Sequence, residues 1–316
     1  MAKKYTLGID LGGTKIHALV LDDEGEVKGF HRTETKADEG YRAVVERLKT
    51  VAEGALQEAD LGWKQIRGVG LAVPGAIDPS LGLVYLAANL GWAQKPVGQD
   101  LSCLLDRTVT VGNDANLGVL GETMHGAAKG AKNVVGLFMG TGLGAGVVIR
   151  KRLVNGRSGL AGEIGHVQAP FGNAMCGCGK RGCLETVASK TGVARMLGEA
   201  ISRGEACLVK SKGKLKSSEL REAFRKGCPV TVHAIHQAAD ALAWGMVTIA
   251  HVVDPDVFVL GGGMIEALGD DMLPLVIRSM GERSAFLQRS PPEVRLAALG
   301  DDAVAIGAAS LAEQEA

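Results

Sequence analysis

The chain has 316 residues, with 35 basic and 35 acidic side chains, so its formal charge is zero at neutral pH. Aromatic residues make up 4%. That is too few for a base-stacking platform, and without a basic excess nucleic acid and anionic membranes are disfavoured as partners. The length suffices for two ordinary domains with sizeable apolar cores.

Met1 to Tyr5 leads into a strand-like run with no apolar h-region and no cleavage site, so no secretory leader is expected. The longest apolar stretch, 230–253, is interrupted by His233, His236, Gln237, Asp240 and His251 and does not read as a membrane span. A cytoplasmic chain is expected. Three of the six cysteines fall in one cluster, while Cys103, Cys207 and Cys228 are scattered. A reducing compartment with one metal site fits this better than a disulfide framework.

In chain order, residues 5–10 read as a strand ending in Gly12-Gly13-Thr14. Strands over 16–21 and 27–32 follow, joined by Asp22-Asp23-Glu24-Gly25. Residues 41–60 carry Val44, Val45, Leu48, Val51, Ala52 and Ala55 on one helical stripe. A short apolar strand over 69–73 ends at Pro74-Gly75, and another over 109–112 leads through Asn113-Asp114 into a helix. The opening pattern then returns: strand 134–139, Gly140-Thr141-Gly142, strand 145–150 and the turn Asn155-Gly156. This repetition suggests two related halves. Long helices are expected over 184–203 and 229–253, an exposed basic loop over 210–218, and a buried strand over 257–260. That strand runs into Gly261-Gly262-Gly263 before a helix, and an alanine-rich helix over 302–313 closes the chain. Alternating strands and helices indicate an α/β protein, in which ligands bind at strand ends. Two halves would place that site in a cleft between domains.

The stretch from Asp10 to Lys15 suits phosphate: glycine lets backbone N–H groups approach, Thr14 adds a hydroxyl, and Asp10 can hold Mg²⁺ through water. It is equally the composition of a tight turn requiring positive φ. It is not a Walker A loop. Gly140-Thr141-Gly142 followed by Ala145 formally fits a relaxed dinucleotide fingerprint, but the following run is strand-like, so a Rossmann site is rejected. Gly261 to Gly263 could give backbone room for a base or simply begin the next helix. Asn113 and Asp114 are favoured helix caps. Asp114 is also a candidate base for a hydroxyl attacking a γ-phosphoryl group, with Asn113 bonding a neighbouring hydroxyl. His166, Cys176, Cys178 and Cys183 form an H-x9-C-x-C-x4-C set. Three thiolates and an imidazole make a closed tetrahedral zinc site, hence a structural one. Glu163 and Glu185 flank it and could accept hydrogen bonds from sugar hydroxyls. His166 could bind zinc through one ring nitrogen and face the ligand with the other.

These segments together resemble the ROK family of bacterial sugar kinases and repressors, especially its glucokinase-like members. The matching pieces are 10–15, Asn89-Leu90-Gly91-Trp92, Asn113 to Asn116, 139–144, Gly162 to His166, the cysteine set with Glu185, and Leu260 to Gly263. The resemblance spans nearly the whole chain. It implies an actin-like ATPase (ribonuclease H-like) fold of two α/β domains around a cleft. The small N-terminal domain would cover 1–114, joined by the C-terminal helix at about 302–316, and 115–301 would form the large domain with the zinc loop. It also implies ATP with Mg²⁺ as phosphoryl donor, structural Zn²⁺ on His166, Cys176, Cys178 and Cys183, and a homodimer or higher homo-oligomer. Asp114 would be the catalytic base. Asn89, Asn113, Asp114, Glu163, His166 and Glu185 would contact the sugar. Asp10, Gly12, Gly13, Thr14, Lys15, Gly140, Thr141, Gly142, Gly261, Gly262 and Gly263 would hold the nucleotide. One departure stands out: Gly227-Cys228-Pro229 replaces the family's usual Gly-Asp-Pro. The expected activity is transfer of the γ-phosphoryl group of ATP to O6 of glucose. The alternative is an N-acetylglucosamine, N-acetylmannosamine or mannose kinase of the same family. A sugar-responsive repressor is disfavoured, because the phosphate hairpin begins at Asp10 and leaves no room for a preceding helix-turn-helix domain.

Overall fold

The computed structural model describes residues 4–209 and 215–316. The first hairpin ladder consists of β1 (Tyr5–Leu11), β2 (Lys15–Asp22) and β3 (Val27–Glu34), followed by α1 (Tyr41–Glu58) and β4 (Ile66–Val73). Then come β5 (Ala76–Asp78), β6 (Leu83–Ala87), β7 (Trp92–Lys95), α2 (Val97–Leu105), β8 (Val109–Asn113) and α3 (Asp114–Met124). The second series is β9 (Val134–Met139), β10 (Leu143–Ile149), β11 (Arg152–Leu153), α4 (Lys190–Ser202), α5 (Ser217–Arg225) and α6 (Pro229–Val253). It continues through β12 (Val257–Gly261), α7 (Ile265–Arg283), α8 (Ala285–Arg289), β13 (Glu293–Leu296) and α9 (Ala303–Glu315).

The strands form two five-stranded sheets and a small third one, in the orders β3-β2-β1-β4-β8, β11-β10-β9-β12-β13 and β5-β6-β7. The two larger sheets repeat one plan. A strand is flanked on one side by the two strands that follow it in sequence, and on the other by two strands reached through helices. β1, β4 and β8 run parallel, as do β9, β12 and β13. The repeated glycine-threonine segments therefore occupy the same place in each sheet, between its first and second strands.

The chain divides into two compact units. Unit 1 comprises Met1–Lys132, Gly146–Gly162 and Ala298–Ala316, and unit 2 comprises Asn133–Ala145 and Glu163–Ala297. Unit 1 thus runs past residue 114 and takes in α3, while α9 belongs to it across the length of the sequence. In unit 1, the α1 stripe of Val44, Leu48, Val51 and Ala55 is buried in a core with Leu7, Ile9, Leu71 and Leu101. The apolar period of 3.6 on α1 meets the period of two on the strands.

The other face of the same sheet takes α9 at unusually short range. A Cβ on Gly8 would stand 1.9 Å from the Ala305 carbonyl oxygen, and one on Gly70 would stand 1.9 Å from that of Ala308. Helix backbone therefore lies directly on strand backbone, which is why α9 is rich in alanine. Glu122 of α3 is fully buried and anchors the approach to this helix. Its carboxylate accepts hydrogen bonds from the Ala298, Leu299 and Ala127 N–H groups at 2.9, 2.8 and 2.7 Å.

Three expectations from sequence need correction. The segment 184–203 is not one helix. A 3-10 turn over Leu184–Thr186 precedes α4, and Ser189 caps the new helix by accepting from the Gly192 N–H at 3.0 Å. The expected loop over 210–218 ends earlier, because Ser217 already opens α5; residues 210–214 lie outside the described residues. Neither Gly12 nor Gly13 takes positive φ, so the tight turn there, closed by the Gly12 N–H donating to Lys15 O at 2.9 Å, does not require it.

Candidate active site

In unit 1, the parallel strands β1, β4 and β8 end along one edge, and the candidate carboxylates sit there. Asp10 is level with Ala72, and Ala72 with Gly112, in the strand register. Asp10 thus lies two strands, roughly 10 Å, from the end of β8, where Asn113 and Asp114 follow. Asn113 is the cap of α3: its Oδ1 accepts from the Asn116 N–H at 3.2 Å and its Nδ2 donates to the Gly75 carbonyl at 3.1 Å. Capping therefore falls to Asn113. Asp114 opens the first turn, with Oδ1 accepting from the Ala115 N–H at 2.8 Å. A carboxylate at a helix N-terminus is favoured by the macrodipole.

Burial pushes the Asp10 carboxyl up to about 7, and the negative charges of Asp114 and Asp301 act in the same direction against Arg32. A buried carboxyl whose ionisation is disfavoured by a second carboxylate at the same strand edge belongs to a donor set suited to a hard cation with its waters. A residue that sequence reasoning missed also faces Asp10. Buried His17, its cross-strand partner on β2, brings Nδ1 to 3.7 Å from Asp10 Oδ2 and Nε2 to 3.6 Å from Asp302 Oδ1. Burial lowers the His17 pKa, partly opposed by Asp302. In sequence, His17 is only one member of an apolar strand, and nothing in its spacing marks it.

The turn after Asp10 is held by Thr35, whose Oγ1 donates to the Gly12 carbonyl at 2.6 Å and whose N–H donates to Thr14 O at 2.9 Å. A Cβ on Gly13 would stand 3.1 Å from Asn89 Nδ2. Glycine there lets the Asn89 side chain, on the short 3-10 turn Ala88–Leu90, approach the turn. Thr14 and Lys15 are exposed. Asp10, Gly12, Gly13, Thr14, Lys15, Asn89, Asn113 and Asp114 all belong to unit 1.

Unit 2 carries the rest. The Gly140-Thr141-Gly142 turn between β9 and β10 is braced by the start of α4. The Lys190 N–H donates to Gly140 O at 2.9 Å, and Thr191 Oγ1 donates to Thr141 O at 2.8 Å. Glu185 Oε2 accepts from the Leu143 N–H at 3.4 Å. A Cβ on Gly142 would lie 2.6 Å from that same oxygen, so only glycine lets Glu185 lie against the turn. Gly262 has φ 85°, and a Cβ there would meet the Met139 backbone at 2.9 Å. Gly261 to Gly263 therefore serve as a tight passage from β12 to α7. Beside that passage opens a cavity of about 240 Å³, lined among others by Leu260, Gly261, Ile265, Glu266 and Arg225.

The His166, Cys176, Cys178 and Cys183 ligand atoms all lie within 4.8 Å of one another. His166 Nδ1 is 3.6 Å from Cys176 Sγ, and Cys178 and Cys183 Sγ are 3.7 Å apart. Two β-bridges, Gln168 with Cys183 and Met175 with Arg181, fold the loop onto itself. Burial raises the Cys176 thiol far above its usual pKa, and it donates to Glu185 Oε1 at 2.9 Å. A divalent cation would reverse that preference and take the thiolate. The donor set therefore fits zinc. The other imidazole nitrogen, Nε2, is 3.7 Å from Glu163 Oε2, and Nδ1 is 3.8 Å from Glu185 Oε1. His166 thus stands between both carboxylates, with Nδ1 on the thiol side and Nε2 on the side of exposed Glu163.

The ROK family model matches residues 6–315. A glucokinase of Halalkalibacterium halodurans is 32% identical, covering 100% of this chain and 97% of its own. The ROK hexokinase structure from Thermus thermophilus superposes with a TM-score of 0.86 at 32% identity, covering 98% of both chains. The ROK glucokinase of Streptomyces griseus, solved with glucose and AMPPNP, superposes with a TM-score of 0.77 at 30% identity, covering 98% of this chain and 99% of its own. These structures carry the actin-like ATPase fold, and its mixed α/β sheets are those of this chain. The chain belongs to the ROK family.

Proposed function

We propose that the protein is an ATP-dependent hexose kinase that transfers the γ-phosphoryl group of ATP to O6 of glucose. The observation that carries this reading is the strand-end pair in unit 1. Asp114 opens α3 while Asn113 takes over the cap, and Asp10, two strands away, has its carboxyl pushed up to about 7 in part by the Asp114 charge. Full-length similarity to glucokinases supports it.

In this reading Asp114 accepts the O6 proton as that oxygen attacks phosphorus, which is the part a positioned carboxylate plays in phosphoryl transfer. Asn89 and Asn113 hold neighbouring hydroxyls. Glu163 and Glu185 accept hydrogen bonds from the sugar, and His166 donates one through Nε2–H while Nδ1 serves zinc. The N–H groups of the turns at Gly12 to Thr14 and Gly140 to Gly142 donate to phosphate oxygens, and Lys15 adds positive charge. Gly261 to Gly263 border the place of the base. Mg²⁺ held at Asp10 supplies charge neutralisation on the phosphates. Zinc on His166, Cys176, Cys178 and Cys183 is structural, since four protein ligands leave no open position. It fixes the spacing between the carboxylates on either side.

The test is ADP release from ATP and Mg²⁺ over a panel of glucose, mannose, N-acetylglucosamine and N-acetylmannosamine. Highest kcat/KM with glucose supports the reading. Preference for an N-acetylated sugar would replace glucose with that alternative, and no turnover with any hexose would overturn the kinase.

A further inference from the structure

The departure at Cys228 places a second sulfur cluster in unit 2, outside the zinc loop. Cys228 is the residue immediately before α6, whose first position is Pro229. Its Sγ lies 3.9 Å from Cys207 Sγ, in the segment that leaves α4. The Leu208 N–H donates to Cys228 Sγ at 3.4 Å, and Cys207 Sγ is 3.9 Å from Thr231 Oγ1 in the first turn of α6. Cys228 is buried and Cys207 half-buried. One sulfur therefore sits at the positive end of a 25-residue helix, and the other sits beside it with access to solvent.

The geometry suits thiol chemistry. Burial pushes the Cys228 thiol up, but donors from Thr231, Leu208 and Cys207 outweigh it and bring it down to about 7. A helix N-terminus and backbone donors stabilise a thiolate in the same way elsewhere. Bond formation requires the sulfurs to close from 3.9 Å to about 2 Å. Cys207 lies on a segment without helix or strand, so its backbone can accommodate that movement.

We propose that Cys207 and Cys228 form a dithiol that peroxides oxidise to an intramolecular disulfide, a modification site tying the segment after α4 to the first turn of α6. Half-exposed Cys207 attacks the peroxide through its sulfur, giving up its thiol proton. Its sulfur gains oxygen, the O–O bond breaks, and the hydroxide released takes a proton and leaves as water. The Cys228 thiolate then attacks the Cys207 sulfenic sulfur. The S–S bond forms as the S–O bond breaks, and the second oxygen leaves as water. Two thiols and one hydrogen peroxide give one disulfide and two waters, and a dithiol reductant reverses it.

The test treats the full-length protein, purified in its metal-bound form, with a few equivalents of hydrogen peroxide. Remaining thiols are then alkylated and the peptides mapped by mass spectrometry. The expected product is a Cys207–Cys228 cross-linked peptide that dithiothreitol removes, with Cys103 still alkylated. In Cys228→Ser, Cys207 should instead be trapped as a sulfenic acid by dimedone. Absence of the cross-link in the wild-type chain while other cysteines oxidise would overturn the proposal, as would pairing of Cys207 with a different cysteine. The wild-type map stands whether or not the variant folds well.

Discussion

At the residue scale, the site is governed by what surrounds two carboxylates. Asp10 has an ordinary pKa of 3.8 and sits at about 7 in the fold. A carboxyl raised in this way favours folding while protonated. That contribution is fully present below about pH 4 and is lost as pH rises to about 7. Asp10→Asn should therefore stabilise the unliganded protein by about 2 kcal/mol at about pH 8 and by much less near pH 5, while lowering kcat. Denaturant midpoints at the two pH values check this. Equal stability of both proteins at the higher pH would show that Asp10 carries no strain. His17 belongs to the same scale. Its position against Asp10 comes from strand register, which sequence alone does not reveal.

At the scale of elements, two devices decide where these residues stand. Glu122 ties α3 to the approach of α9 through the Ala298 and Leu299 N–H groups, and also accepts from the Ala127 N–H just after α3. Glu122→Ala leaves those donors unpaired in the interior, and should cost about 3 kcal/mol, visible as a lower urea midpoint. An unchanged midpoint would mean that water replaces the carboxylate. The Gly8 and Gly70 contacts leave no room for a side chain, so Gly70→Val should be more harmful than any exposed substitution on α9. Soluble expression and thermal midpoint report it. The loop that gathers His166, Cys176, Cys178 and Cys183 is the second device. Cys183→Ser should lower bound zinc from about one per chain to near zero and raise the glucose KM about tenfold or more. Metal analysis with steady-state kinetics tests both, and full activity without zinc would separate the loop from sugar binding.

Much at this scale was legible beforehand. Glycine turns, the α1 stripe and the cysteine spacing are local patterns, and each appears where its period placed it. The β5-β6-β7 sheet, α2 and β13 were not read. The strands of the small sheet are three to five residues long and β13 is a four-residue edge strand defined by pairing with β12, whereas α2 does carry a helical apolar period at Val97, Leu101, Leu104 and Leu105 that went unread. The break before α4 depends on a serine cap inside an otherwise helical run. Cys228 was read as a scattered cysteine and as a departure from the family pattern, and not as a partner of Cys207, which is 21 residues away in sequence.

At the scale of the molecule, two sheets of one plan each present a glycine turn between their first and second strands. One unit adds Asp10, Asn113 and Asp114, and the other adds the His166 and cysteine loop with Glu163 and Glu185. Among the described residues, no helix is long and apolar enough to cross a membrane. In the proposed function, proton acceptance falls to Asp114 and sugar recognition mainly to other residues. The most direct test is steady-state ADP release with glucose and Mg²⁺-ATP for the wild type and Asp114→Asn. The expected result is a fall in kcat of about a thousandfold, with zinc content and thermal midpoint preserved and glucose KM changed by no more than several-fold. Retention of wild-type kcat in that variant would contradict it.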